Sequence, residues 1–159
     1  MTTNYDNAVS DYLNDYQDQY TIPKILKNLV DLPEILNEDK QEVIHLHGNV
    51  EPYTSMIVTK EDYDEFYKEE KTVHFLNGVM SNKTLLFIGF SFKDEYFKNL
   101  YKKVYSQIKG EHFIIVPNIH SFDADELLEN DLFPIGVKVD DVEKNDFVKA
   151  IKTILKELQ

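Results

Sequence analysis

The chain has 159 residues, of which 42% are apolar and 13% aromatic, enough for the core of one domain but hardly of two. It carries 29 acidic and 17 basic residues, a formal net charge of −12, and every basic residue is a lysine. Such a surface repels phosphate backbones and anionic membranes, so nucleic acid and membranes are not expected as partners. The lack of cysteine excludes disulfides, thiolate zinc sites and a cysteine nucleophile. Without a long apolar run or a secretory signal, we expect a soluble, cytoplasmic, single-domain protein over residues 1–159.

Short apolar runs alternate with helix-like segments, which is typical of a layered α/β fold. The runs predict strands at 43–46, 84–88, 113–116 and 134–139. The second run has almost no polar interruption, so we expect it to be buried on both faces of the sheet. The fourth alternates between apolar and polar residues and is expected at the edge of the sheet.

The segments between these runs predict helices from the spacing of their apolar residues. Helices are expected at 7–13, after Thr59, at 95–108, at 123–129 and from Lys144 onward. Thr59 and Asp62 form a capping pattern, and two helices broken near Thr72 are expected to follow it. The apolar stripes of these helices, including Phe66 and Tyr67, are assigned to the hydrophobic core.

Polar and glycine residues follow each of the four predicted strands. In chain order they are His47, Gly48 and Asn49, then Gly89, Ser91 and Asp94, then Asn118, and finally Asp140 and Asp141. Open parallel sheets bind ligands beyond the carboxyl ends of their strands. If the sheet is parallel, these residues are therefore expected to converge on one rim.

Taken singly, these residues have two interpretations each. Gly89 and Ser91 are either a turn that approaches a phosphate or ribose, or a turn glycine and a helix-capping serine. His47 is either a catalytic base or a structural histidine. The sequence contains neither a GxGxxG nor a GxxxxGK[ST] phosphate-binding motif. His45 is expected on the same side of the strand as His47. A metal site on this pair is disfavoured, since no third ligand lies nearby in sequence.

Four short motifs occur in order over the first 94 residues. They are Thr-Thr-Asn-Tyr-Asp at 2–6, Leu-His-Gly at 46–48, Val-Thr-Lys-Glu-Asp-Tyr at 58–63 and Leu-Leu-Phe-Ile-Gly-Phe-Ser-Phe-Lys-Asp at 85–94. Together they resemble the motifs of the bacterial sirtuin-like family of NAD-consuming enzymes, many of which act in anti-phage defence. Beyond Asn118 the resemblance is looser.

The resemblance implies a Rossmann-like three-layer α/β fold with a parallel sheet, and NAD as substrate without a metal. It gives Asn4 the task of holding the nicotinamide ribose or the attacking water, and it makes His47 the base. The residues that it implies for NAD binding are Thr3, Asp6, Gly48, Gly89, Ser91 and Asn118. Asp6 would support the loop that carries Asn4, and Asn118 would lie on the adenosine side.

The sequence departs from the family pattern in two respects. It lacks the four cysteines of the zinc module that sirtuin deacylases carry, which disfavours protein deacylation and favours NAD hydrolysis. The family also places a strand and a glycine loop before the Thr-Thr-Asn-Tyr-Asp motif, whereas here Met1 directly precedes it. The predicted domain is therefore partial and incomplete at its N-terminal side, and Asn4 is expected at a frayed terminus.

Two functions of different classes follow from the sequence. The first is an NAD+ glycohydrolase that cleaves NAD to nicotinamide and ADP-ribose, with little or no activity in this chain alone. The second is a non-catalytic interaction or oligomerisation module that pairs with a full-length relative or a phage protein. Either function predicts a homo-oligomer or a complementing chain, since an incomplete sheet leaves an apolar edge exposed.

Overall fold

The structure is a computed structural model that describes residues 1–16, 23–26, 42–90, 95, 98–99, 101–102, 110–140 and 145–157. The chain forms two compact units, Met1–Asn82 and Lys83–Gln159. Every strand pair among the described residues is parallel, which confirms the predicted α/β class with parallel strands. Within those residues, no helix combines the length and the apolar character that crossing a membrane requires.

The first unit contains a small parallel sheet and three helices. Its elements are α1 (Ala8–Tyr16), β1 (Lys24–Ile25), β2 (Ile44–His45), a 3-10 turn (Tyr53–Ser55), α2 (Lys60–Phe66) and α3 (Glu70–Asn82). Strand β1 was not expected from the sequence, and it pairs in register with β2. Its core includes the buried Leu26, Leu46, Ile57, Phe75 and Leu76.

The amino terminus is held by β2. Thr2 forms a one-residue parallel bridge with His45. Its N–H donates to the Ile44 carbonyl at 2.8 Å, and its own carbonyl accepts from the Leu46 N–H at 2.8 Å. The expectation of a frayed terminus is therefore wrong, because two backbone hydrogen bonds fix the residue two positions before Asn4.

The start of α2 follows the predicted capping pattern. Thr59 Oγ1 accepts from the Asp62 N–H at 3.1 Å, and Asp62 Oδ2 accepts from the Thr59 N–H at 2.9 Å. The two predicted helices are present, but the break between them lies at 67–69 rather than near Thr72, which is buried within α3. Burial of Thr72 against the core keeps the second helix continuous through that position.

The second unit is a three-stranded parallel sheet with flanking helices. Its elements are β3 (Leu86–Ile88), helical residues at 95, 98–99 and 101–102, β4 (His112–Pro117), α4 (Ser121–Glu129), β5 (Leu132–Val137) and α5 (Asn145–Glu157). The strand order is β3-β4-β5, which confirms the prediction that the last strand lies at an edge. The expectation that the second predicted strand is buried on both faces is wrong, since Ile88 is 42% exposed. Strand β3 is itself at the end of this order.

Replacing Thr59 tests the capping box. Thr59→Ala removes the side-chain acceptor of the Asp62 N–H and should lower the free energy of unfolding by about 1 kcal/mol. Urea unfolding followed by circular dichroism measures the change. Thr59→Ser keeps the hydroxyl and serves as the matched control, and equal midpoints for the alanine and serine variants would contradict the assignment.

His112 predicts a pH dependence of stability. Burial lowers its pKa from the ordinary value of 6.5, and its Nδ1 accepts a hydrogen bond from the Leu85 N–H at 3.1 Å. The unfolded chain therefore binds a proton more readily, so this contribution to stability is present above pH 6.5 and is lost as the pH falls below it. His112→Asn retains an acceptor without the titration and should flatten the pH dependence of unfolding midpoints measured from pH 8 to pH 5. His74→Gln, an exposed replacement, should leave the wild-type slope unchanged.

Candidate functional site

The loop that carries Asn4 is fixed by its main chain. The Asn4 N–H donates to Thr2 Oγ1 at 3.1 Å, and the Asn4 carbonyl lies 2.9 Å from His45 Nδ1. A carbonyl oxygen is an acceptor, so His45 carries its proton on Nδ1. The Asn4 side chain is exposed while its backbone is held, which leaves the carboxamide accessible to a ligand.

Asn49, one of the residues expected on the rim, completes the polar contacts of His45. Its Oδ1 accepts from the Glu51 N–H at 2.8 Å, which identifies the oxygen of the amide. Its Nδ2 donates to Asn7 Oδ1 and lies 3.3 Å from His45 Nε2. Because His45 and Asn49 are both buried, these bonds satisfy groups that would otherwise be costly to remove from water. The sequence indicated Asn49 by its position after the first predicted strand, but it did not indicate the bonds to His45 and Asn7.

His47 is 2% exposed and is surrounded by aromatic side chains of α2 and its end. Its Nε2 lies 2.6 Å from the Tyr67 hydroxyl, and its Nδ1 lies 3.5 Å from the Tyr63 hydroxyl. The imidazole also meets Tyr63, Phe66 and Tyr67 in edge-to-face contacts, with centroid distances of 5.0, 6.1 and 5.8 Å. The sequence analysis predicted that Phe66 and Tyr67 both belong to the hydrophobic core. Phe66 is buried, but the Tyr67 hydroxyl bonds His47.

Gly48 separates the surroundings of His47 and Asn49. Its φ is +90°, a conformation that side chains other than hydrogen disfavour. A Cβ at this position would lie 2.2 Å from the carbonyl oxygen of Ser55. The glycine therefore permits a turn that brings the chain against the 3-10 turn.

Thr3 and Asp6, both expected to bind NAD, flank the Asn4 loop. Thr3 is half-buried, and Asp6 is exposed. Asp6 Oδ1 accepts from the Ala8 N–H at 3.0 Å at the start of α1. In this position Asp6 stabilises the junction between the loop and α1, which is compatible with the supporting role expected for it.

A cavity of about 620 Å³ lies in the second unit, at the carboxyl ends of β3 and β4. Gly89 and Asn118, which follow these strands, both line it, as the parallel-sheet argument predicted. Gly89 has a φ of +68°, and the Asn118 amide is tied to the segment after β5. Its Nδ2 donates to the Val139 carbonyl at 2.7 Å, and its Oδ1 accepts from the Val139 N–H at 2.9 Å.

The wall of this cavity combines aromatic rings with charged groups. Phe90 and Phe147 contribute rings, and Lys98 forms an ion pair with Glu126. The hydrogen bond between these two groups raises the pKa of the Lys98 ammonium and lowers the pKa of the Glu126 carboxyl. The volume and the mixture of apolar and polar walls suit a ligand of nucleoside size.

Three further sequence expectations concern Ser91, the common rim and a metal site at His45. Ser91 lies outside the described residues, so its proposed role stays a prediction. The convergence of His47 with Gly89 and Asn118 on one rim likewise stays a prediction. Both ring nitrogens of His45 contact protein groups, and no cluster of three or more potential metal ligands occurs among the residues for which the structure is described.

Comparison with known proteins places the chain in a family. The model of the SIR2-like domain matches residues 1–153. The NAD(+) hydrolase ThsA of Enterococcus faecium is 31% identical over 96 residues, which cover 58% of this chain and 19% of that protein. The NAD(+) hydrolase ThsA of Bacillus cereus is 26% identical over 123 residues, covering 72% of this chain and 24% of the relative. The protein of the same name from Acinetobacter baumannii is 28% identical over 131 residues, covering 77% and 26%.

The chain thus spans about a quarter or less of the length of the curated relatives it matches. The family match extends over both compact units, and the parallel α/β architecture agrees with it. The chain belongs to the family of SIR2-like domains.

Proposed function

We propose that this SIR2-like domain contributes to the hydrolysis of NAD+ to nicotinamide and ADP-ribose, in the setting of anti-phage defence. The observation that carries the proposal is the attachment of the Asn4 loop to the strand that leads to His47. Thr2 bridges to His45, and His45 bonds the Asn4 carbonyl. Both expected catalytic groups are therefore held by one short segment of backbone.

The chemistry of the reaction suits an amide and an imidazole. Nicotinamide leaves NAD+ as a neutral molecule, so its departure needs no general acid and a pair of carboxylates is dispensable. The remaining tasks are to stabilise a cationic sugar and to deliver water. An exposed carboxamide such as Asn4 can orient water or a ribose hydroxyl, and a histidine can accept a proton near neutral pH.

The cavity of the second unit is proposed to bind the adenosine side of NAD. Gly89 would permit close approach of the backbone to the ligand, and Asn118 would keep the end of β4 in place through its bonds to Val139. The rings of Phe90 and Phe147 offer apolar surface for a base. Gly89 and Ser91 are proposed to line the phosphate and ribose portion, with Gly48 and Thr3 as further binding residues, and Asp6 to support the loop that carries Asn4.

We further propose that turnover needs a homo-oligomer or a complementing chain. The backbone pairing beside the Asn4 loop is limited to one bridged residue, Thr2, and a two-residue strand. A displacement of about 1 Å at reacting groups can cost ~100-fold in rate. Little or no hydrolysis is therefore expected from the 159 residues alone.

Complementation tests the hydrolase function. The chain is mixed with a polypeptide that carries the strand and glycine loop of a related SIR2-like domain, and nicotinamide release is measured by chromatography. Wild-type chain should stimulate release, whereas Asn4→Ala and His47→Ala should each reduce it at least ~100-fold. Leu132→Ala, a truncation of a buried residue of the second unit, is the control for general loss of structure. Undiminished release by the Asn4→Ala, His47→Ala double variant would remove both residues from the mechanism.

A non-catalytic interaction module is the second candidate function. It is favoured by large apolar side chains exposed in the second unit, namely Ile88, Phe122 and Phe133. Such side chains can form part of a protein interface.

Calorimetric titration with NAD and ADP-ribose, together with mass measurement in solution, separates the two functions. The hydrolase function predicts heat of binding that Asn4→Ala and His47→Ala weaken. The interaction module predicts no heat with either nucleotide and an oligomer that Phe122→Ser disrupts. Binding of both nucleotides by a strictly monomeric chain would contradict the interaction module.

A further inference from the structure

The end of α2 presents two tyrosines to the two nitrogens of His47. Tyr63 and Tyr67 are four residues apart, which places them on the same face of the helix. The separation between Tyr67 Oη and Nε2 is 2.6 Å, within the range of a strong hydrogen bond. The separation between Tyr63 Oη and Nδ1 is 3.5 Å, at the outer limit for such a bond. The Tyr67 hydroxyl is therefore the closer hydrogen-bonding partner of the His47 ring, and the Tyr63 hydroxyl is the more distant one.

The hydrogen bond with Tyr67 determines how His47 can act. A phenol is a stronger donor than a neutral imidazole N–H, since its pKa is near ~10. When Tyr67 donates and Nε2 accepts, the neutral ring carries its proton on Nδ1, and this is the tautomer on which the inference is built. His47 is 2% exposed, whereas Tyr67 is half-buried at the end of α2. The lone pair of the base thus points to the tyrosine oxygen.

We propose that Tyr67 positions the His47 imidazole and relays the substrate-side proton to its Nε2. This inference rests on the hydrolase function above. As water attacks, its oxygen bonds to C1′ of the ribose and the bond from C1′ to nicotinamide breaks, with the electron pair passing to the nicotinamide nitrogen. The proton that the water loses passes to Tyr67 Oη while the proton of Tyr67 passes to His47 Nε2. The imidazolium then returns this proton to solvent through the same hydroxyl.

The packing around Tyr67 separates its hydroxyl from its ring. The ring meets Phe66 in an edge-to-face contact with a centroid distance of 5.1 Å and stacks on Tyr63 at 6.2 Å. Phenylalanine at position 67 can keep both contacts and remove only the oxygen. Tyr67→Phe is therefore the informative variant, and Tyr63→Phe is its matched control because Tyr63 faces the other nitrogen at the longer distance.

The first measurement uses the chain by itself. Nitrogen-15 NMR of the histidine rings reports which nitrogen of His47 is protonated, and His47→Gln assigns the signals. Wild-type chain should show Nδ1 protonated and Nε2 as an acceptor. Tyr67→Phe should move the Nε2 signal toward that of a free imidazole nitrogen and mix the tautomers, while Tyr63→Phe should change the ring signals little.

The second measurement is nicotinamide release in the complemented mixture. Tyr67→Phe should lower kcat by at least ~100-fold and leave KM within about threefold of wild type, as expected for loss of proton transfer. Tyr63→Phe should keep kcat within about threefold. This division between kcat and KM distinguishes proton transfer from a loss of substrate binding.

The two measurements separate this inference from the hydrolase function. Unchanged Nε2 signals in Tyr67→Phe, or wild-type kcat in that variant, would overturn the role of Tyr67. If His47→Gln also keeps full activity, the base assignment fails as well. If the wild-type mixture releases no nicotinamide, the hydrolase function and the relay both fail, and the NMR shift then supports only the positioning of the ring.

Discussion

The bond between the His45 imidazole and the Asn4 carbonyl is the contact on which the first unit depends. Strand β2 has only two residues, and Thr2 adds only a single bridged position to it. Backbone pairing alone is too short to fix the loop. The buried imidazole supplies a further hydrogen bond, and because its other nitrogen faces Asn49, neither side of the ring is left without a polar contact. A loop whose Asn4 side chain is exposed is in this way fixed by its main chain.

Gly48 allows two different environments to occur within three residues. His47 lies among the aromatic rings of α2, whereas Asn49 belongs to the polar contacts around His45 and Asn7. A chain that continued as a regular strand would alternate its side chains between two faces without the turn toward Ser55. The φ of +90° and the close approach of the Ser55 carbonyl permit glycine alone here without strain. The Leu-His-Gly motif thus combines the histidine proposed as the base with a constraint on the backbone.

The sequence predicted the features that depend on local chemistry. The capping box of Thr59 and Asp62 is complete within four residues, and the alternation in β5 indicated an edge strand. Strand β1, by contrast, has only two residues and forms by pairing with a segment about twenty positions away. No period can be recognised in so short a strand. The burial of β3 was also mispredicted, because an apolar run does not specify its place in the strand order.

The site shows the same division between local and distant information. The bond between Asn49 and Asn7 joins residues 42 positions apart, so no local pattern could indicate it. Tyr63 and Tyr67 differ from that pair, because their spacing of four residues can be read directly from the sequence. Their aromatic rings suggested core packing, and periodicity carries no information on where a hydroxyl points. To recognise that these hydroxyls contact His47, one must know which polar group the helix faces, and this depends on the tertiary structure.

The two histidines show how contacts divide structural from chemical roles. His45 contacts a backbone carbonyl and a carboxamide, groups that do not exchange protons near neutral pH. The Nε2 atom of His45 faces the donor nitrogen of Asn49 and therefore accepts from it. His47 Nε2 lies 2.6 Å from the Tyr67 hydroxyl, a group that can both donate and accept a hydrogen bond. Of these two imidazoles, which lie two positions apart in the chain, that of His47 is within hydrogen-bond distance of a hydroxyl, whereas that of His45 contacts a carbonyl and an amide nitrogen.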